Sequence, residues 1–421
     1  MNRTSRENGG TWLVGGAAAM CLAGVVMVLV LLASAGIAPF WPSRIVDLRL
    51  GDGREVFGEI VSEASKWIVV RQSELDRAGG NYVRIARGSI ADRSEPADAF
   101  AVALTDGRRL FGRGDSAVAA SALGDASAPA RIEETLWPNS LGYLGSLGVL
   151  VRHAGRFLFT SNAASTLVGG ALPALVGTVT LVLLMSLIVM PFGVATAVYL
   201  HERRGFAVGL VRSAIGNLAG VPSIVYGVLG LGLFVHGLGA GIDRWFFSDR
   251  LPVPTFGSGG LLWAALSLAL LTLPVVVVSV EEGLARIPPG LRTGSLALGA
   301  THGETMWRLL LPAARPALLT GFILAIARAA GAVAPLMLVG VVKLAPALPV
   351  DGEFPFLHPS RQFMHLGFSV YDAALASPDA LRGVPRAYAC ALLLVIVVIA
   401  LNLAAIVLRN RLRERYREIE A

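Results

Sequence analysis

The sequence predicts a mostly α-helical, polytopic membrane protein with six transmembrane helices and a small β-rich external domain inserted between helices 1 and 2. Three observations predict it. The 421 residues are 54% hydrophobic and only 15% charged, whereas soluble domains carry about 25% charged residues. Six apolar runs are each long enough to cross a hydrocarbon core of roughly 30 Å. A polar stretch between the first two runs carries a repeated hairpin signal.

The first run is Trp12–Ala38, preceded by Arg3 and Arg6. Ala33-Ser34-Ala35 resembles a leader cleavage site. The apolar stretch is longer than a leader core of about 7–15 residues, so it reads as an anchor. Residues 1–40 therefore form an N-terminal transmembrane helix, and residues 41–138 form the polar insert. There Leu50-Gly51-Asp52-Gly53-Arg54-Glu55-Val56-Phe57-Gly58 recurs as Leu104-Thr105-Asp106-Gly107-Arg108-Arg109-Leu110-Phe111-Gly112. Each copy reads strand, Asp-Gly turn, strand. Ile68–Arg71 and Tyr82–Ile85 read as further strands. Two copies are too few for a solenoid, so a small β domain with a structural or partner-docking role is expected. Ala117–Ala130, rich in Ala, Ser and Gly, reads as a linker.

Residues 139–166 are a linker and an interfacial helix. Leu141–Thr160 is apolar but interrupted by Arg152, His153 and Arg156, which suits the membrane surface better than its interior. Residues 167–421 hold the other five runs: Leu167–Leu200, Val211–Leu238, Gly260–Val280, Pro316–Val342 and Arg386–Leu408. Pro191, Pro222, Pro274 and Pro335 fall inside them, and each removes a backbone donor and bends its helix. Arginines cluster in His201–Arg212, Glu281–Arg315 and the tail from Arg409. The positive-inside rule then places both termini in the cytoplasm and the insert outside.

Composition also excludes functions. The formal charge of +7 comes from arginines beside apolar runs, so nucleic-acid binding is not expected. Cys21 and Cys390 both lie in apolar runs and are too few for a zinc site of about four ligands. The six histidines form no H-E-x-x-H pair. The two lysines, Lys66 and Lys343, follow Ser65 and Val342, so no Gly-Lys-Ser/Thr phosphate loop exists. The chain is expected to be no enzyme, with no metal and no bound cofactor. If ATP drives it, another chain hydrolyses the ATP.

Two features carry chemistry. Thr293-Gly294-Ser295-Leu296-Ala297-Leu298-Gly299-Ala300 is a run of mostly small residues, and nine residues separate Gly299 from the segment Leu309-Leu310-Leu311-Pro312. It predicts a short helix and a tight turn at the glycine, with Pro312 opening the next helix. Such a loop lets a partner surface approach closely. Arg328 is the other feature. It sits near the middle of Pro316–Val342, the one ionisable residue there. An arginine at mid-bilayer costs about 2.5–3.5 kcal/mol on insertion scales, so it is expected to face a water-filled path. Its planar fork suits an oxyanion; packing against backbone carbonyls or an end-on partner contact is the plainer alternative.

The loop spacing resembles the signature of permease subunits of binding-protein-dependent ABC importers: E-A-A, three residues, Gly, nine residues, then I-x-L-P. Thr293-Gly294-Ser295 depart from its Glu-Ala-Ala. Asn217-Leu218-Ala219-Gly220-Val221-Pro222-Ser223-Ile224-Val225-Tyr226-Gly227 and Leu319–Gly331 are similar to segments of PstA-type permeases of phosphate importers, in a long form with an extra external domain. Where those usually carry Gly-Glu, Gly331-Ala332 stands here. The resemblance covers about Leu167 to Arg417 and the first span.

The resemblance implies a type I ABC importer permease fold and transport of inorganic phosphate into the cytoplasm. It implies a translocation path at Arg328, Asn217, Pro222, Ser223 and Tyr226. It implies an ATPase-coupling loop at Thr293–Ala300 with Leu311 and Pro312. The implied partners are a second, PstC-like permease, a PstB-like ATP-binding dimer that uses ATP and Mg, a PstS-like external phosphate-binding protein, and membrane lipid. Two other readings stand beside it: a permease for another oxyanion such as sulfate or molybdate, and a membrane-anchored regulatory or scaffold protein.

Overall fold

The structure, a computed structural model, describes residues 4–73, 82–104, 108–114, 132–161, 170–377 and 379–420. Its chain divides into two compact units, Met1–Leu172 with Ala373–Leu392, and Pro173–Asp372 with Leu393–Ala421.

The first unit opens with helix α1, Thr4–Ile37. Val14 to Leu31 are largely exposed large hydrophobics, as a helix solvated by lipid requires. Among the described residues eight strands follow: β1 Ile45–Leu50, β2 Glu55–Glu63, β3 Trp67–Arg71, β4 Tyr82–Ala86, β5 Ile90–Ser94, β6 Ala99–Leu104, β7 Arg109–Arg113 and β8 Ile132–Leu136. They make two antiparallel sheets, ordered β4-β3-β2-β1-β5 and β7-β6-β8.

The two copies of the repeat form hairpins in the same register. Leu48 faces Val56 and Val46 faces Gly58 in one, while Val102 faces Leu110 and Phe100 faces Gly112 in the other. The shared glycine is a packing requirement. A Cβ on Gly58 would stand 2.1 Å from the Arg71 carbonyl oxygen, and one on Gly112 would stand 2.5 Å from the Phe100 ring. Period-2 alternation puts Val46, Leu48, Ile68 and Val70 in one core and Phe100, Val102 and Leu104 in another. Ile45, Ala99, Phe57 and Phe111 join the two sheets, each repeat giving the equivalent pair. The predicted linker over 117–130 lies outside the described residues.

Helix α2, Tyr143–Phe159, follows β8. Glu134 of β8 grips it, accepting from Arg152 at 3.1 Å and Arg156 at 2.6 Å, with His153 at 3.2 Å.

The second unit contains α3 Leu172–Glu202, α4 Phe206–Gly220, α5 Ser223–Phe246, α6 Leu261–Ala285, α7 Pro289–Ala297, α8 His302–Ala313, α9 Arg315–Ala330, α10 Leu336–Val339 and α11 Leu366–Ala376. Helix α12, Ala380–Glu420, ends the chain. The core runs through Leu181, Met185, Leu268, Leu271, Val276, Ala325 and Phe363. Small residues let α9 approach α6: a Cβ on Gly283 would stand 2.1 Å from the Ala317 Cβ. Among the described residues five helices are long and apolar enough to span a membrane, six when the bent pair α8 and α9 counts as one. The fold is mostly helical and polytopic, with a β-rich domain near the N-terminus.

Two spans differ from their sequence expectation. The run Val211–Leu238 is not one helix. Pro222 has no N–H and disfavours helix at the residue before it, so Val221 is extended (φ −72°, ψ 131°), and the spanning helix is Ser223–Phe246. Nor is Pro316–Val342 continuous. Helix α9 stops at Ala330, where Ala332 N–H turns back to the Ala329 carbonyl at 3.1 Å, and Pro335 stands before the next short helix. Pro191 and Pro274 do lie inside helices, whereas Pro222 and Pro335 stand at breaks.

Candidate functional site

The segment predicted to line a path is built around the Val221–Pro222 break. Asn217 is exposed on the last turn of α4, and Pro222 and Ser223 are exposed at the break. Tyr226 is 1% exposed. Its hydroxyl reaches back across the break and donates to the Leu218 carbonyl at 2.6 Å. Next to it, Gly227 packs on the chain at Pro335; a Cβ there would stand 2.7 Å from the Pro335 Cα.

Arg328 is not at mid-helix. With α9 ending at Ala330, it occupies the last turn, where the unpaired carbonyls of a helix end favour a cation. Its neighbours Ala325, Ile326, Ala329 and Ala330 are buried, while Arg328 itself is exposed. Among the described residues no carboxylate stands within ion-pair distance of Arg328. Ala332, half-buried, packs against the helical core just beyond.

The second predicted segment is a helix–turn–helix. Pro288 and Pro289 start α7, which holds Thr293 to Ala297. Leu298, 90% exposed, follows it. Gly299 has φ +86°, a left-handed value that closes the turn cheaply only for glycine. Ala300 N–H donates to the Ser295 carbonyl at 3.2 Å, and Gly299 N–H to Leu296 at 3.0 Å.

Thr301 then opens α8 with a capping box. Its hydroxyl accepts from Glu304 N–H at 3.2 Å, and the Glu304 carboxylate accepts from Thr301 N–H at 3.0 Å. Ser295 and Thr305 hydroxyls meet at 3.0 Å. An Arg292–Glu202 ion pair ties α7 to the end of α3. Thr293, standing where a carboxylate is usual, is exposed and turns its hydroxyl back on the Pro289 and Gly290 carbonyls.

Leu311 is buried. Pro312 does not open the next helix: it lies in the final turn of α8, and Pro316 sits at the start of α9, bent 65° from α8. Trp307, 73% exposed on α8, had no signal in the spacing. Neither did His365, fully buried, whose Nδ1 accepts from Gly367 N–H at 3.1 Å.

The model of the binding-protein-dependent transport system inner membrane component matches residues 189–418. The probable ABC transporter permease protein YqgH of Bacillus subtilis is 34% identical over 185 residues, 43% of this chain and 56% of that protein. The phosphate transport system permease protein PstA 1 of Mycobacterium tuberculosis is 34% identical over 242 residues, 57% of this chain and 71% of that protein. A structure of the MetNI methionine ABC transporter in an inward facing conformation shares 20% identity, with a TM-score of 0.42, over 57% of this chain and 94% of that one. The chain thus spans little more than half of the first of these relatives. The family match begins inside α3, takes in both segments described above and runs into α12, over half of the chain: this protein belongs to the binding-protein-dependent transport system inner membrane component family.

Proposed function

We propose that the chain is the permease subunit of an ATP-driven importer of inorganic phosphate. The observation that carries the reading is Arg328: an exposed guanidinium at a helix carbonyl end, with no carboxylate to neutralise it among the described residues. Such a group attracts an anion and fits two of its oxygens. The substrate named for the M. tuberculosis relative supports phosphate over other oxyanions. Asn217, Pro222 and Ser223 would complete the path.

In this reading both termini are cytoplasmic and the β-rich insert is external. The α7–α8 turn, with Leu298 and Trp307 outermost, docks on a separate ATP-binding subunit, which uses the ATP and Mg. This chain binds no cofactor. A second, similar permease closes the path, and an external binding protein delivers phosphate.

The test is uptake of labelled orthophosphate at low external concentration, in cells with and without this chain and with other phosphate systems removed. Loss of uptake on deletion, restored by the chain but not by Arg328→Gln, supports the reading. Competition by sulfate or molybdate as strong as that by phosphate overturns the substrate assignment.

A further inference from the structure

Helix α2 has its polarity reversed for a helix on a soluble domain. Its charged residues bend toward the protein: Arg152, itself 57% exposed, His153 and Arg156 all converge on Glu134 of β8. Its outward face is apolar. Leu144 is 82% exposed, Val151 63% and Phe159 77%, with Leu147 between them. The spacing of these four puts them on one side of a helix, and that side carries no charge.

Both ends of α2 are held where the chain enters or leaves a span. Tyr143 packs on Trp41 with ring centroids 5.8 Å apart, and Phe157 packs on Phe40 at 5.3 Å. Phe40 closes the first apolar span. At the other end the Phe157 carbonyl accepts from Ala171 N–H at 2.7 Å, and the next residue, Leu172, begins the second span. A helix tied to both points lies at the depth of the span ends. Trp41 and Tyr143 are the residue types that settle at that depth.

We propose that α2 lies in the headgroup–acyl boundary of the bilayer, with Leu144, Leu147, Val151 and Phe159 in lipid, and seats the β-rich domain on the membrane surface. The segment lies outside the family match at residues 189–418, and the inference does not depend on the substrate. A soluble partner would fit the apolar face, but it would have to reach a surface fixed at the level of two span ends.

The test uses the full chain with Cys21→Ala and Cys390→Ala, reconstituted in phosphatidylcholine vesicles. A fluorophore is attached at Leu144→Cys, at Val151→Cys, or at Glu55→Cys on the exposed first hairpin. These sites are solvent- or lipid-facing, so labelling leaves the packing intact. The expected result is loss, at Leu144 and Val151, of the iodide quenching seen at Glu55. Quenching by a lipid bearing a nitroxide in the upper acyl chain should appear there instead. Iodide quenching equal to that at Glu55 would place the face in water and overturn the proposal. Protection from both quenchers would show a protein cover and overturn it equally.

Discussion

The Tyr226 hydroxyl stands in for the amide that Pro222 lacks. A residue other than proline at 222 would offer its N–H to the Leu218 carbonyl four residues back, and Tyr226 donates to that same oxygen at 2.6 Å. Val221 N–H shares the carbonyl at 3.2 Å. Two helices are thus tied across a break by one side chain. Tyr226→Phe removes the tie but keeps the ring. The expected loss is about 0.5–1.5 kcal/mol, read as a lower unfolding midpoint of the purified chain, with uptake reduced but present.

Arg328→Lys keeps the charge and loses the fork, whereas Arg328→Gln loses both. A charge-assisted hydrogen bond contributes about 1.5–3 kcal/mol, so Arg328→Gln is expected to raise the KM for phosphate about tenfold or more. The lysine variant should fall between. Equal KM values for wild type and Arg328→Gln would remove Arg328 from the path. Ala332→Glu adds an acid just beyond Arg328 and should weaken uptake at low phosphate; unchanged kinetics would show that Arg328 acts without regard to its local charge balance.

At Gly299, φ of +86° makes a branched side chain costly, by about 1–2 kcal/mol. Gly299→Val should reshape the turn that carries Leu298 while leaving the spans inserted. Co-purification with the ATP-binding subunit and ATP-dependent uptake are expected to fall together, with the amount of chain in the membrane unchanged.

Burial alone would raise the Glu134 carboxyl, but His153, Arg156 and Arg152 outweigh it and bring it down to about 2. A carboxylate lowered on folding adds stability above its unfolded value, and that contribution is lost as pH falls through the folded one. The β8–α2 junction should therefore hold at neutral pH and loosen between about pH 4.5 and about pH 2. Glu134→Gln should flatten that part of the pH dependence, measured as the unfolding midpoint across the range.

Glu59 of β2 and Arg109 of β7 form an ion pair with side chains only 10% and 11% exposed. Arg109→Met removes the hydrogen-bonded counter-charge of the buried carboxylate and leaves it Arg71 and Ser43, so it is expected to cost about 3 kcal/mol, the low end for breaking a buried pair. Adding Glu59→Met should recover most of it. A double-mutant cycle on unfolding reads the coupling directly; additive losses would mean that the pair contributes nothing beyond its packing.

Much of this was legible in the residues. Apolar length found the spans because lipid demands unbroken runs, and the Asp-Gly signal found the β-rich domain because a glycine such as Gly53, at φ +85°, closes the short loop between Leu50 and Arg54. The breaks were harder. Composition is blind to where a helix stops, so Val211–Leu238 looked continuous and Arg328 looked central. The Glu59–Arg109 pair was invisible for another reason: it joins strand β2 to strand β7, and local pattern says nothing about which hairpins meet.

The 65° bend between α8 and α9 has a mechanical side. The joint at Ala314 is stiff. It is 2% exposed, its N–H bonds Leu310, and its carbonyl takes both Ala317 and Leu318 N–H. A rigid elbow works as a bell crank: a push along the short arm emerges as a sideways swing of the long one. Thr301 opens the short arm and Arg328 rides at the far end of the long one, so in the proposed importer a thrust at the turn would swing a guanidinium across the axis of the first helix and would not drive it forward.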